Sequence, residues 1–178
     1  EKELMYTPTD WQILRTCTAP VMLKTTGRRK KSSGVILAAL DFSRDDAKRR
    51  RLNKKVMDAA ACMAELSGST VHIVYALEFS TVLRDLDIID VNVNKKSVLA
   101  RIMPNVERFL APYGISKSRM HFPVGKPGQV INSKAHKLNA DLLVLGTGVH
   151  RLRRAVGLGS TTEKVLTRAN RDVLTIHS

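Results

Sequence analysis

Apolar and polar positions follow two periods along this chain. Val35 to Leu40 is an unbroken apolar run, the pattern of a strand buried on both faces. Asp41 to Asp46 turns the chain, with Ser43 a candidate helix cap and Asp46 three residues on. From Asp45 to Leu66 the residues Leu52, Val56, Ala59, Ala60, Met63 and Leu66 recur at helical spacing, opposite a basic run. Ser67-Gly68-Ser69 ends that helix, and Thr70 to Leu77 is β-branched and apolar enough for a second strand.

Glu78 to Asn94 is polar and predicts a loop with short helical pieces. Lys95 to Tyr113 predicts a helix presenting Val98, Ile102, Val106, Phe109 and Leu110 on one face, with a kink or break at Pro104. Met120 to Val124 reads as a third strand, and Pro127 suits the first turn of a helix reaching about Leu138. Asp141 to Gly146 is a fourth strand, Thr161 to Ala169 a last helix, and Asp172 to Ile176 a fifth strand. Strands separated by helical units predict an α/β class fold: a doubly wound, five-stranded parallel sheet.

The first residues do not read as the start of such a unit. Trp11 to Cys17 predicts a short helix and Ala19 to Leu23 a short strand, before a basic linker around Gly27 to Ser33. Ile13 to Met22 aligns with Val165 to Leu174, placing Leu14 opposite Leu166 and Val21 opposite Val173. At face value, residues 1–26 are the closing helix and strand of a preceding copy of the domain, 27–33 a linker, and 34–178 the domain itself. A second copy of the closing strand suggests that Val21 to Lys24 pairs with Asp172 to Ile176, within the chain or between two chains.

Composition changes this picture in two ways. Hydrophobic residues make up 43% and aromatic residues 4%, so aliphatic side chains must fill the core. The net charge of +14 favours an anionic partner, with basic residues clumped at Arg28 to Lys31, Lys48 to Lys55, Lys95 with Lys96, and Arg151 to Arg154. No apolar run is long enough for a membrane span and no signal peptide is visible, so the chain reads as cytoplasmic. Cys17 and Cys62 have no metal spacing; Cys62 falls in a helical apolar rhythm and reads as a small buried hydrophobe. The five histidines form no ligand motif in sequence, and no nucleophile is paired with a base.

The stretch Asp141 to Thr161 carries the chemistry. It combines an apolar strand, a glycine-bearing loop with arginines, and a Gly159-Ser160-Thr161 entry into a helix. Backbone amides at a helix start, glycines that let the backbone approach and cationic side chains suit phosphate; a plain strand-to-helix connection is the alternative.

Residues 34 to 178 resemble the universal stress protein family, through Val35 to Ser43, Asp141 to Gly146, and Gly159 to Leu166. Residues Thr7 to Arg15 and Pro20 to Leu23 resemble the end of the first domain in its tandem, two-domain branch. The resemblance implies the adenine nucleotide alpha hydrolase-like fold with strand order 3-2-1-4-5. It also implies ATP or AMP as ligand, with Mg if ATP, and a homodimer or tandem-domain partner through the closing strand. The family motif Gly-x2-Gly-x9-Gly-[Ser/Thr] is matched at Gly146, Gly159 and Ser160, whereas Val149 stands at the second glycine and Gly148 sits one residue early. A β-branched residue there is costly wherever the motif needs a left-handed backbone.

By the same resemblance Asp41 would meet the ribose or base edge, Ala76 and Leu145 would line the base pocket, and Gly159, Ser160 and Thr161 would hold phosphates. Each has a structural alternative: Asp41 as a turn cap, Ser160 and Thr161 as helix caps, Ala76 and Leu145 as core. The function implied is regulatory binding in a stress response, with at most slow ATP hydrolysis or autophosphorylation. A different class of function also fits the charge: binding a polyanion such as nucleic acid, or a lipid phosphate, on the basic surface without nucleotide.

Overall fold

The computed structural model describes residues 8–25, 32–79, 91–147, 150–152, 155–157 and 160–178. In chain order they form α1 (Pro8–Thr16), β1 (Val21–Leu23), β2 (Val35–Ala39), α2 (Ala47–Ser67), β3 (Thr70–Val74), α3 (Val91–Leu110), β4 (Met120–His121), α4 (Pro127–Lys137), β5 (Leu142–Thr147), β6 (His150–Leu152), β7 (Ala155–Gly157), α5 (Ser160–Leu166) and β8 (Asp172–His177). The main sheet runs β4-β3-β2-β5-β8-β1. Strands β4, β3, β2, β5 and β8 are parallel, and numbered among themselves they stand in the expected order 3-2-1-4-5. The sheet is mixed rather than wholly parallel, because β1 adds to the outer edge of β8 antiparallel.

That added strand carries the internal repeat into space. Met22 and Leu174, which the repeat makes equivalent, pair with each other, while Val21 faces Thr175 and Leu23 faces Val173. The two strands β1 and β8 are thus related by a local two-fold axis through the pair. Leu14 and Leu166, the other equivalent pair, are both fully buried in one cluster with Val165, Val173 and Leu143. Arg15 of α1 reaches Glu163 of α5 at 3.5 Å. The Asp172 carboxylate accepts from the Thr25 amide and hydroxyl at 3.0 and 3.2 Å, closing the strand pair at its end.

Alternation along the central strands sends side chains into two apolar layers. Leu37, Leu143 and Leu145 pack on the side of α4 and α5 with Ile131 and Ala135; Ile36, Ala38, Leu142 and Val144 pack on the side of α2 and α3 with Val56, Met57, Val106 and Leu110. Gly128 lets α4 lie against α5: a Cβ there would sit 2.6 Å from Lys164 Cβ.

Several expectations need correction. The cap of α2 is Asp46, whose carboxylate accepts from the Arg49 amide, so the helix starts at Ala47 and not near Ser43. The buried stripe of α2 is Asn53, Val56, Met57, Ala60 and Ala64; Leu66, expected to be buried, is 78% exposed. Cys62 is exposed because it stands two residues from Ala60, on the far side of the helix. Helix α3 continues through Pro104 without a break and begins at Val91, taking residues expected in a loop; 80–90 lie outside the described residues. Strand β4 stops at His121, and Val124 keeps only a single bridge to Leu77. The arginine-bearing loop after β5 contains an antiparallel hairpin, β6 with β7.

Candidate functional site

A cleft of about 650 Å³ opens at the carboxyl ends of β2, β3 and β5. Parallel α/β sheets bind ligands there, because neighbouring crossovers leave on opposite faces and part the connections. Asp41 follows β2, Ala76 follows β3, Leu145 and Gly146 lie near the end of β5, and Thr161 is in the first turn of α5; all five line the cleft. Ser160 is the first residue of α5, directly before Thr161. Val149 and Gly159 lie outside the described residues. Residues separated by up to 120 positions in sequence are thus brought to one cavity by the topology (41 to 161).

The floor is apolar, with Leu40, Val56, Ala76, Ile131 and Leu145 among its lining residues. Leu145 is 3% exposed and Ala76 9%, so each belongs to the core as well as to the cleft wall. Gly146 has a packing role. A Cβ on it would lie 2.8 Å from Leu52 Cγ, so its bare backbone admits the α2 side chain over the end of β5. The Thr162 hydroxyl then donates to the Gly146 carbonyl at 3.1 Å, tying the first turn of α5 to the same strand end.

Asp41 is held through both its backbone and its side chain. Its amide donates to Asn53 Oδ1 at 3.0 Å and its carbonyl accepts from Asn53 Nδ2 at 2.9 Å, a closed ring from one buried amide side chain. Its carboxylate accepts from the Ser43 amide at 2.8 Å and from Arg49 Nε at 2.7 Å. Arg49 also donates to Asp46 at 2.6 Å, so one guanidinium bridges two carboxylates at the cleft rim. Burial alone would raise the Asp41 pKa, but the Ser43 hydrogen bonds and Arg49 outweigh it and hold the carboxyl below its ordinary value. Burial, with Asp41 nearby, pushes the Tyr75 phenol up, so it lines the cleft as a neutral ring edge-on to Phe42.

Sequence reasoning missed Arg49, Asn53, Asp46 and Tyr75. Arg49 was hidden inside a basic run that reads as a solvated face. Asn53 carried a usable signal, being the polar residue within an apolar helical stripe, a position tolerated only with its hydrogen bonds met. Elsewhere the structure joins two histidines that sequence treated singly: His72 Nδ1 and His121 Nε2 are 3.0 Å apart with nearly parallel rings, between β3 and β4. Burial, then Lys134 and His72, push His121 down to about 4. Among the described residues no group of three or more His, Cys, Asp or Glu converges, and no helix is long and apolar enough to cross a membrane.

Comparison with known proteins follows the same lines. A universal stress protein E homolog of Haemophilus influenzae is 28% identical over 176 residues, covering 97% of this chain and 57% of that protein. A Pseudomonas aeruginosa structure assigned to the universal stress proteins superposes with a TM-score of 0.80 at 28% identity, covering 98% of this chain and 58% of that one. The chain therefore spans a little over half the length of these relatives. A universal stress protein from Archaeoglobus fulgidus solved in complex with dAMP shares the fold at 24% identity and a TM-score of 0.50, covering 80% of this chain and 95% of that one. These neighbours have the adenine nucleotide alpha hydrolase-like fold, as does this chain. The family model for universal stress proteins matches residues 34–177, the whole parallel sheet with its helices, and the chain belongs to the universal stress protein family.

Proposed function

We propose that the domain is a regulatory module that binds an adenine nucleotide, AMP or Mg-bearing ATP, in the cleft at the ends of β2, β3 and β5. The observation that carries this reading is the convergence of Asp41, Ala76, Leu145, Gly146 and Thr161 on one cavity of about 650 Å³. That volume lies within the usual range for small-molecule sites, and an apolar floor with a polar rim suits a purine bearing a ribose. In this reading Asp41 meets the ribose or base edge, Ala76 and Leu145 the base, and Gly159, Ser160 and Thr161 hold the phosphates, with Gly146 and Val149 at the other motif positions of the nucleotide loop. The dAMP bound by the Archaeoglobus relative makes a mononucleotide the first ligand to test. Calorimetric titration with AMP and with Mg-ATP checks it: saturable heat is expected, and its loss in Asp41→Asn and Leu145→Trp places the ligand in the cleft. No saturable heat at millimolar nucleotide would sink the reading.

Residues 1–26 are, in the same proposal, the closing helix and strand of a preceding domain, with 27–33 as the linker into the domain that begins at 34. The two-fold relation between β1 and β8 supports this, because equivalent closing strands of two like domains would meet in that way.

A second reading has its own observation. In the basic run of α2, Arg49, Arg50 and Lys54 are engaged by Asp41 and Asp46, by Asp45 and by Asp58. Lys48, Arg51 and Lys55 have no acidic partner among the described residues, are exposed, and fall at helical spacing on one face. That stripe suits the phosphate backbone of a nucleic acid. Binding to a labelled duplex should weaken steeply with salt and be lost in the triple variant Lys48→Glu, Arg51→Glu, Lys55→Glu. Equal loss on reversing Lys95, Lys96 and Arg101 would make it a net-charge effect alone.

A further inference from the structure

The cleft contains an internal competitor for the carboxylate that a nucleoside would use. Asp41 cannot turn to meet a ligand: Asn53 holds its amide and carbonyl, and Ser43 holds Oδ1. The remaining oxygen, Oδ2, accepts Arg49 Nε at 2.7 Å, while Nη1 of the same guanidinium sits 2.6 Å from Asp46. Arg49 is the movable partner. Its side chain is 33% exposed and its backbone is fixed in α2, so only side-chain rotation is needed to release it. Asp46 is not free to replace Asp41, since its Oδ1 caps α2 through the Arg49 amide.

We infer that Arg49 sets the ligand selectivity of this cleft by competing with ribose for Asp41, an inference that rests on the nucleotide reading above. A ribose hydroxyl that bonds Oδ2 must share that oxygen with, or displace, the charged Arg49 Nε–H, a stronger donor than a neutral hydroxyl. A bare nucleoside that displaces the guanidinium loses its interaction and supplies no anion in return. A ligand that also carries phosphate supplies a new anion. Arg49 and Lys48 both line the cleft, so the released guanidinium exchanges a carboxylate for a phosphate without leaving the site. The arrangement discriminates nucleotide from nucleoside by more than the phosphate's own contacts, because binding at Asp41 weakens or replaces an internal ion pair. It is a selectivity role for a residue on α2, away from the glycine loop.

The test compares adenosine and AMP binding by calorimetry to the wild-type chain and to Arg49→Gln, Arg49→Lys and Lys48→Gln, with thermal melts to verify folding. The cap of α2 uses the Arg49 backbone amide, so it survives in each variant. Both members of the ion pair are part-exposed, so its removal is expected to tighten adenosine by about two- to fivefold in Arg49→Gln. The preference for AMP over adenosine should shrink at the same time. Arg49→Lys keeps the charge but loses the planar fork, and should tighten adenosine less than Arg49→Gln while retaining the AMP preference. Lys48→Gln, which breaks no ion pair, should weaken AMP and leave adenosine no tighter. If AMP binds the wild-type chain and Arg49→Gln leaves adenosine unchanged or weaker, the competition is overturned while the nucleotide site stands. If neither ligand binds any of the four proteins, the nucleotide site itself falls and the competition with it.

Discussion

Two glycines distinguish close packing that can yield from close packing that cannot. A Cβ at Gly146 meets the Leu52 side chain at 2.8 Å, whereas one at Gly128 meets Lys164 Cβ at 2.6 Å with the Lys164 carbonyl carbon 3.2 Å away. Gly128→Ala must therefore push α5 off α4, at a cost of about 1–3 kcal/mol in urea unfolding. Gly146→Ala should also destabilise, but the loss should largely disappear in a Leu52→Ala background; failure of that rescue would mean Leu52 is not the obstacle. Titration belongs to this scale too. The folded chain resists a proton on His121, held near 4 by burial with Lys134 and His72, while the unfolded chain takes one up near the ordinary 6.5. Stability is therefore complete above 6.5 and falls as pH drops towards 4. Replacing His121 with Asn should flatten that decline, read from urea midpoints at about pH 7, 5.5 and 4.5. Asp141 acts lower. Burial would raise its pKa, but hydrogen bonds from Ser32, Ser33, Val35 and Gly34 hold it below 3.8, so its contribution fades only as pH falls beneath that value.

Among the elements, strands were more legible than helix faces. Val35 to Leu40 and Leu142 to Leu145 are continuous apolar runs bounded by turn residues, the pattern of strands buried on both faces. The ends of α2 differ in the same respect. Gly68 closes it in a left-handed conformation at φ 63°, a role its residue type announces, and Gly68→Ala should cost about 1 kcal/mol by thermal or urea denaturation. At the other end Ser43, Asp45 and Asp46 were all chemically able to cap, and in the structure Asp46 does so while Asn53 of the same helix ties back to the Asp41 backbone. The hairpin of β6 and β7 follows the same logic: three-residue strands carry too short an alternation to be read before their partner is known.

For the whole molecule, the N-terminal helix and strand matter most. Leu14 is fully buried and Leu23 nearly so, both in the core layer that contains Val165 and Leu166. Removing residues 1–25 should lower thermal stability and open the edge of β8, whose backbone groups now pair with β1. Sedimentation of the truncated chain should then show self-association, since β8 can meet a second β8 in the register that β1 now uses. A truncated chain that stays monomeric and equally stable would show that this edge needs no cover.

The α/β class with its five parallel strands and the repeat joining the chain's two ends were readable from the residues, and the strand order from the family resemblance. The class and the repeat rest on local periodicity and turn residues, which nearest neighbours along the chain largely dictate. So were Asp41, Leu145, Gly146 and Thr161 as residues at strand and helix ends. Their present state depended on side chains arriving from elsewhere. Arg49 closing on two carboxylates, Asn53 ringing Asp41, Leu52 filling the space above Gly146 and His72 meeting His121 each join separate elements. Their strength depends on distances of about 3 Å, which folding in three dimensions sets and spacing along the chain does not.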